Sequence, residues 1–189
     1  RSSEDLSVSG WFVMQLKSAT VAGLRVDGKG FQGAIAFLDK VTEKPGGSGY
    51  GGRCSYQGGK NYTPSMTSVG MLCRQFMGWK RTDPLLVGGA NYLVEHLPKW
   101  SNQSGGHHYY YWYYGTLVLF QMGGDWWKAW NGVLRDMLIK NQINKPQDPK
   151  LDGSWDPWDR GGTRAGRAYT TAMACLCLEV YYRYLPLYK

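Results

Sequence analysis

The run Tyr109-Tyr110-Tyr111-Trp112-Tyr113-Tyr114-Gly115-Thr116-Leu117-Val118-Leu119-Phe120-Gln121-Met122 is apolar or aromatic on every side of a helical wheel. Such a helix has no face to offer water and has to be buried. Beyond Gly123-Gly124-Asp125 lies Trp126-Trp127-Lys128-Ala129-Trp130-Asn131-Gly132-Val133-Leu134-Arg135-Asp136-Met137-Leu138-Ile139. There Trp126, Trp127, Trp130, Val133, Leu134, Met137 and Leu138 share one stripe, with Lys128, Asn131, Arg135 and Asp136 opposite. This second helix belongs outside, with its stripe turned inward. An inner and an outer helix joined at a glycine corner form a hairpin.

The rest of the chain repeats the theme. Inner-type helices are predicted at Trp11 to Leu24, Met66 to Trp79 and Ala168 to Leu185. Outer-type stripes run through Phe31, Ile35, Leu38 and Val41, and through Leu86, Ala90, Leu93, Val94 and Leu97. The order is inner and outer in alternation, about seven helices in an all-α chain, read as a single domain over residues 1–189. Thr63-Pro64 and Asp83-Pro84 each set a side-chain acceptor before a proline at the first helical position, and Asp125 is placed to cap the Trp126 helix. Gly23, Gly78 and Gly123 mark inner-helix ends, where glycine takes the left-handed conformation. No strand is needed anywhere.

Between hairpins the chain returns through Gly46-Gly47-Ser48-Gly49-Tyr50-Gly51-Gly52, Ser104-Gly105-Gly106 and Leu151-Asp152-Gly153-Ser154-Trp155. These returns account for much of a glycine content of 26 in 189 residues, roughly twice the usual share. With 43% hydrophobic and 15% aromatic residues, the chain buries too much surface to be disordered. Tyr109 to Met122 is too short to cross a bilayer. The net charge of +8 is spread over scattered Lys and Arg with no run longer than two, which argues against nucleic acid as a partner. Cys54, Cys73, Cys175 and Cys177 form no C-x-x-C pair, so no thiolate metal site is predicted. Cys54 and Cys73 are either bridged or free, and Cys175 and Cys177 read as small core residues.

Asn141-Gln142 ahead of Asp152-Gly153-Ser154-Trp155 resembles the Q-x-x-D-G-S-W signature of the squalene cyclase and prenyltransferase repeat superfamily, with a longer insertion between Gln142 and Asp152. Tyr62-Thr63-Pro64-Ser65-Met66-Thr67-Ser68-Val69-Gly70 is similar to that family's passage from loop to inner helix. Asp5-Leu6-Ser7-Val8-Ser9-Gly10-Trp11, Leu72-Cys73-Arg74 and Leu178-Glu179-Val180-Tyr181-Tyr182-Arg183-Tyr184-Leu185-Pro186-Leu187-Tyr188 resemble repeat proteins of planctomycete-type bacteria, to which no reaction has been assigned. The resemblance implies an α/α toroid of helical hairpins, of which about three and a half repeats would be a partial, C-terminal half. It implies a partner too, either a missing N-terminal half or another copy of the chain, and a bacterial, extracytoplasmic or periplasmic setting.

Family chemistry would need residues that do not occur in their family patterns here. There is no D-x-D-D acid motif, no Asp, Cys and His zinc pattern and no G-C-G-E-Q thioester. No catalytic residue, metal or cofactor is therefore predicted, and an enzyme would need its acid from another segment. The D-x-x-D pair Asp156 and Asp159 reads as turn caps paired with Arg160 or Arg164. Candidate ligand or partner contacts are His107, His108, Tyr109, Trp112 and Tyr113 at the mouth of an inner helix, where ring faces hold apolar groups, sugars or cations. Trp11, Trp155, Trp158 and Tyr169 join them if the repeats align. Arg160 and Arg164 add positive charge from the glycine-rich loop Arg160 to Arg167. The expected function is a non-catalytic binding or assembly module, with part of a cyclase or prenyltransferase-like enzyme, or a carbohydrate binder, as alternatives.

Overall fold

A computed structural model describes residues 4–46, 49–101, 108–159 and 161–183. Among them the chain is all helical: α1 (Leu6–Val21), α2 (Gly28–Val41), α3 (Pro64–Phe76), α4 (Pro84–Glu95), α5 (Tyr109–Met122), α6 (Gly124–Lys140), α7 (Gly162–Leu178) and the single turn α8 (Val180–Arg183). Extended pairing among the described residues is limited to the isolated bridges Thr42 with Cys54 and Ser55 with Tyr62.

The chain divides into two compact units, one built on α1 to α4 and the other on α5 to α8. In the first, the inner helices α1 and α3 pack side by side and each carries its own outer helix, α2 on α1 and α4 on α3. In the second, α5 packs against α7, with α6 on α5. The alternation read from the apolar stripes is therefore the packing order within each unit.

Local chemistry sets the helix ends. Thr63 caps α3 by accepting from the Met66 amide, and Asp83 accepts from the Leu85 amide at the start of α4. Asp5 and Asp27 cap α1 and α2 through the amides of Val8 and Lys29. Gly23, Gly78 and Gly123 all have positive φ, as the stop signals require. Asp125 is not a cap: α6 starts one residue earlier, Gly123 is its N-cap, and the Asp125 carboxylate pairs with Lys128 in solvent.

The inner helices are not equally buried. α3 is buried from Met66 to Gln75, and α5 nearly from end to end. α1 buries only Leu6, Gly10 and Val13, and α7 only Gly162, Thr170, Ala174 and Cys177. An apolar wheel over α1 thus leaves Trp11, Phe12 and Val21 in water. α7 also differs from the predicted helix. It begins in what reads as a loop, breaks at Gly166 (φ 80°) and ends at Leu178.

Close approach fixes the α5–α6 pair. A Cβ built on Gly115 would lie 2.5 Å from Cη2 and Cζ2 of Trp130, so only glycine lets that ring lie on the α5 backbone. Trp130 is fully buried, donates from Nε1 to Thr116 Oγ1 at 3.1 Å and meets the Tyr111 ring edge-on. All four cysteines are free thiols, Cys54, Cys73 and Cys177 buried and Cys175 exposed. Cys175 faces away from the core because it sits two residues, about 200° of helix, from the buried Cys177.

Candidate functional site

Two of the returns between hairpins, the one leading to α3 and the one leading to α7, are built alike, although their sequences share little. In the first unit the Glu43 amide donates to the Arg53 carbonyl and the Gly52 amide to the Glu43 carbonyl. In the second the Ile143 amide donates to the Ser154 carbonyl and the Gly153 amide to the Ile143 carbonyl. Gly52 and Gly153 both have positive φ. One residue on, the Cys54 amide donates to Thr67 Oγ1 at 2.9 Å, and the Trp155 amide donates to Thr171 Oγ1 at 3.3 Å. Glu43, Gly52, Cys54 and Thr67 thus stand to their return as Ile143, Gly153, Trp155 and Thr171 stand to theirs.

Residues of the Q…D-G-S-W resemblance hold the second return closed. Gln142 Nε2 donates to the Gly153 carbonyl, and Asp152 accepts from the Lys145 amide. Trp155 is 1% exposed and its indole N–H donates at 2.8 Å to the Leu138 carbonyl in the last turn of α6. In the first return this closing role falls to an ion pair. Arg53 forks onto Glu43 at 2.8 and 2.5 Å and lies over the rings of Tyr50, Tyr62 and Tyr92. The Arg53 guanidinium holds the Glu43 carboxyl below its usual range. Sequence reading missed both residues. Set against the second return they fall opposite Ile143 and Ser154, so no shared residue type pointed to them.

Asp159 joins two helices. Its buried carboxylate accepts from the Tyr109 amide at the start of α5, at 3.2 Å, and from the Gly162 amide at the start of α7. Asp156 pairs with Arg167 at 2.6 Å, and Arg167 also reaches Ser154 Oγ. The D-x-x-D pair is therefore a cap and an ion pair, but the ion-pair partner is Arg167, where Arg160 or Arg164 was expected.

The predicted contact residues fall into two groups. Tyr109, Trp112, Tyr113 and Trp155 are buried. Their rings pack against one another and their neighbours: Tyr109 meets Trp112 edge-on at 4.9 Å, Trp100 stacks on Trp112 at 6.0 Å, and Tyr113 meets Tyr114 at 5.2 Å. The Tyr109 hydroxyl donates to the Asp156 carbonyl, and burial raises its pKa. Tyr169 is half-buried, with burial pushing its hydroxyl up to about 12. Trp11, Trp158, His108 and Arg164 are exposed. His107 and Arg160 lie outside the described residues.

Arg74 is a further residue that sequence reading passed over. Its side chain is 2% exposed, donates to Thr42 Oγ1 at 3.0 Å and Asp39 at 3.3 Å, and lies over the Trp79 ring. A lone charge on an otherwise apolar helix was the available signal.

A groove of about 420 Å³ lies between α1 and α2 in the first unit. Val8, Phe12 and Leu16 line one wall and Gly30, Gly33, Ala34 and Phe37 the other, with Glu4 and Asp5 at one end. No group of three or more His, Cys, Asp or Glu side chains among the described residues is placed to hold a metal ion. No helix among them is long and apolar enough to cross a membrane. No family model, curated protein or solved structure matches the chain.

Proposed function

We propose that the chain is a non-catalytic assembly module, a partial α/α toroid of the kind found in the squalene cyclase and prenyltransferase repeat superfamily, whose bare edge receives another polypeptide. The observation that carries this is α1, an apolar inner-type helix that leaves Val8 at 49% and Phe12 at 61% exposure on one wall of the α1–α2 groove. Contiguous apolar surface of this kind on a folded protein marks an interaction site. The paired returns support the repeat reading, because stacked repeats bury one another's faces and an edge repeat is left with one face open.

Buried rings turn the contact surface away from the α5 aromatic cluster and toward the exposed Trp11 and Phe12 of the first unit. They also weigh against a carbohydrate platform on Tyr109 and Trp112, since a sugar needs a ring face open to solvent. Asp156 and Asp159 are committed to Arg167 and to two helix starts, which weighs against either as a cyclase acid. Native mass spectrometry over a hundredfold range of concentration, alone and with an extract of the source cells, tests the reading. A stable complex that Phe12→Asp abolishes is expected, and a monomer under every condition would overturn it.

A further inference from the structure

We infer that the α1–α2 groove is the seat of an aromatic-Gly-Gly turn carried by a partner's helical hairpin; this rests on the assembly reading above. The first unit already contains this contact one hairpin further on. There the return residues Tyr50, Gly51 and Gly52 lie directly on the backbone of α4. A Cβ on Gly88 would collide with the Gly51 and Tyr50 carbonyl oxygens, and one on Gly52 with the Leu85 carbonyl. Tyr50 packs on Tyr92 with ring centroids 5.7 Å apart, and its hydroxyl donates to Glu95. An aromatic ring and two bare glycines thus dock on Leu85, Gly88 and Tyr92.

The hairpins α1–α2 and α3–α4 can be set in register from their structure. The ends of α1 and α3 share one hydrogen-bond pattern: Ala22 to Ser18, Gly23 to Thr20 and Leu24 to Ala19 match Met77 to Cys73, Gly78 to Gln75 and Trp79 to Arg74. The apolar stripe Phe31, Ile35 and Leu38 of α2 matches Leu86, Ala90 and Leu93 of α4. In that register Gly30, Gly33, Ala34 and Phe37 stand where Leu85, Gly88, Gly89 and Tyr92 stand. These four residues form the α2 wall of the groove.

Among the described residues the seat on α4 is filled and the one on α2 is bare. A Cβ on Gly33 has no described atom within 4 Å, whereas its counterpart Gly88 is covered by a loop. Gly33 has no positive φ, so its glycine is not needed for the helix itself. Phe37 stands ready to meet an aromatic ring as Tyr92 meets Tyr50. Backbone-on-backbone docking with one anchoring ring is a specific chemistry, because any side chain on either glycine would hold the two chains apart.

The probe is the chain's own turn, a backbone-cyclised peptide of Glu43 to Arg53, whose ends already meet through the Glu43–Arg53 backbone hydrogen bond. It is titrated into the full chain, followed by amide NMR, alongside the Gly33→Leu variant. Gly33→Leu should keep the fold and its melting temperature, since the new side chain enters open space and leucine favours a helix. Shifts centred on Gly30, Gly33, Ala34 and Phe37, weakened at least tenfold in Gly33→Leu, are the expected result. No shift, or shifts unchanged in Gly33→Leu, would overturn the inference while a complex seen by native mass would leave the assembly reading standing. Self-association that Gly33→Leu abolishes without peptide binding would assign the groove to a second copy and likewise overturn it.

Discussion

Removing the carboxylate of Asp159 should destabilise the second unit more than almost any other single change to a polar side chain. In Asp159→Ala the amides of Tyr109 and Gly162, both on buried residues, lose their acceptor together. A hydrogen bond to a charged group contributes about 1.5–3 kcal/mol, and a buried donor left unpaired costs about 1–3 kcal/mol. The negative charge also sits at the start of two helices, where each favours an anion by about 0.3–1 kcal/mol. A loss of about 4 kcal/mol is the sum to test, allowing for relaxation. With a urea slope of about 2 kcal/mol/M, the midpoint of unfolding should fall by about 2 M. Asp159→Asn retains one acceptor oxygen but turns an amide N–H₂ toward the second donor, so it should lose about half as much. Urea unfolding followed by tryptophan fluorescence reads both variants. A midpoint shift below about 0.3 M for Asp159→Ala, or an Asn variant worse than Ala, would refute the two-helix role.

Three further outcomes follow from the packing. Gly115→Ala should cost about 1–3 kcal/mol through overpacking against Trp130, visible as a lowered thermal midpoint with a changed tryptophan emission. A thiol reagent should label Cys175 in the native protein and the other three cysteines only on unfolding, and stability should fall at alkaline pH. Burial pushes Cys73 and Cys177 up to about 12. Their neutral thiols are favoured by folding, so the stabilisation is full below their unfolded pKa, near 8.5, and drains away as pH rises from there toward 12. Circular dichroism melts from pH 7 to 11 check this, and a flat profile would contradict it.

Wheel symmetry made the helices legible, since α5 and α6 differ in how many sides carry polar groups, and capping residues such as Thr63 and Asp83 marked their ends. Burial was less legible. The wheel of α1 reads as apolar nearly all round, like that of α5, yet α1 buries only Leu6, Gly10 and Val13, and no periodicity reports what lies beyond a helix. The same limit applies to Tyr109, Trp112 and Tyr113. A ring reads alike whether it faces a cavity or a core, and only the surrounding rings decide. Asp159 was read as a cap, but its second partner lies 50 residues away, and nothing local encodes that distance. The likeness of the two returns was hidden because one is closed by Gln142 and Trp155 and the other by Glu43 and Arg53, different side chains serving one backbone geometry.

Gly123 ends α5 and begins α6 at a single residue. The other two hairpins turn through longer stretches, Ala22 to Asp27 and Met77 to Asp83. A corner without spare residues transmits any change in one helix to the other, so an insertion there would rotate the stripe of α6 off Gly115 and Thr116. Length variation should accumulate at Lys80 to Thr82, where a fused tag or inserted epitope would be tolerated, while the α5–α6 corner keeps its length.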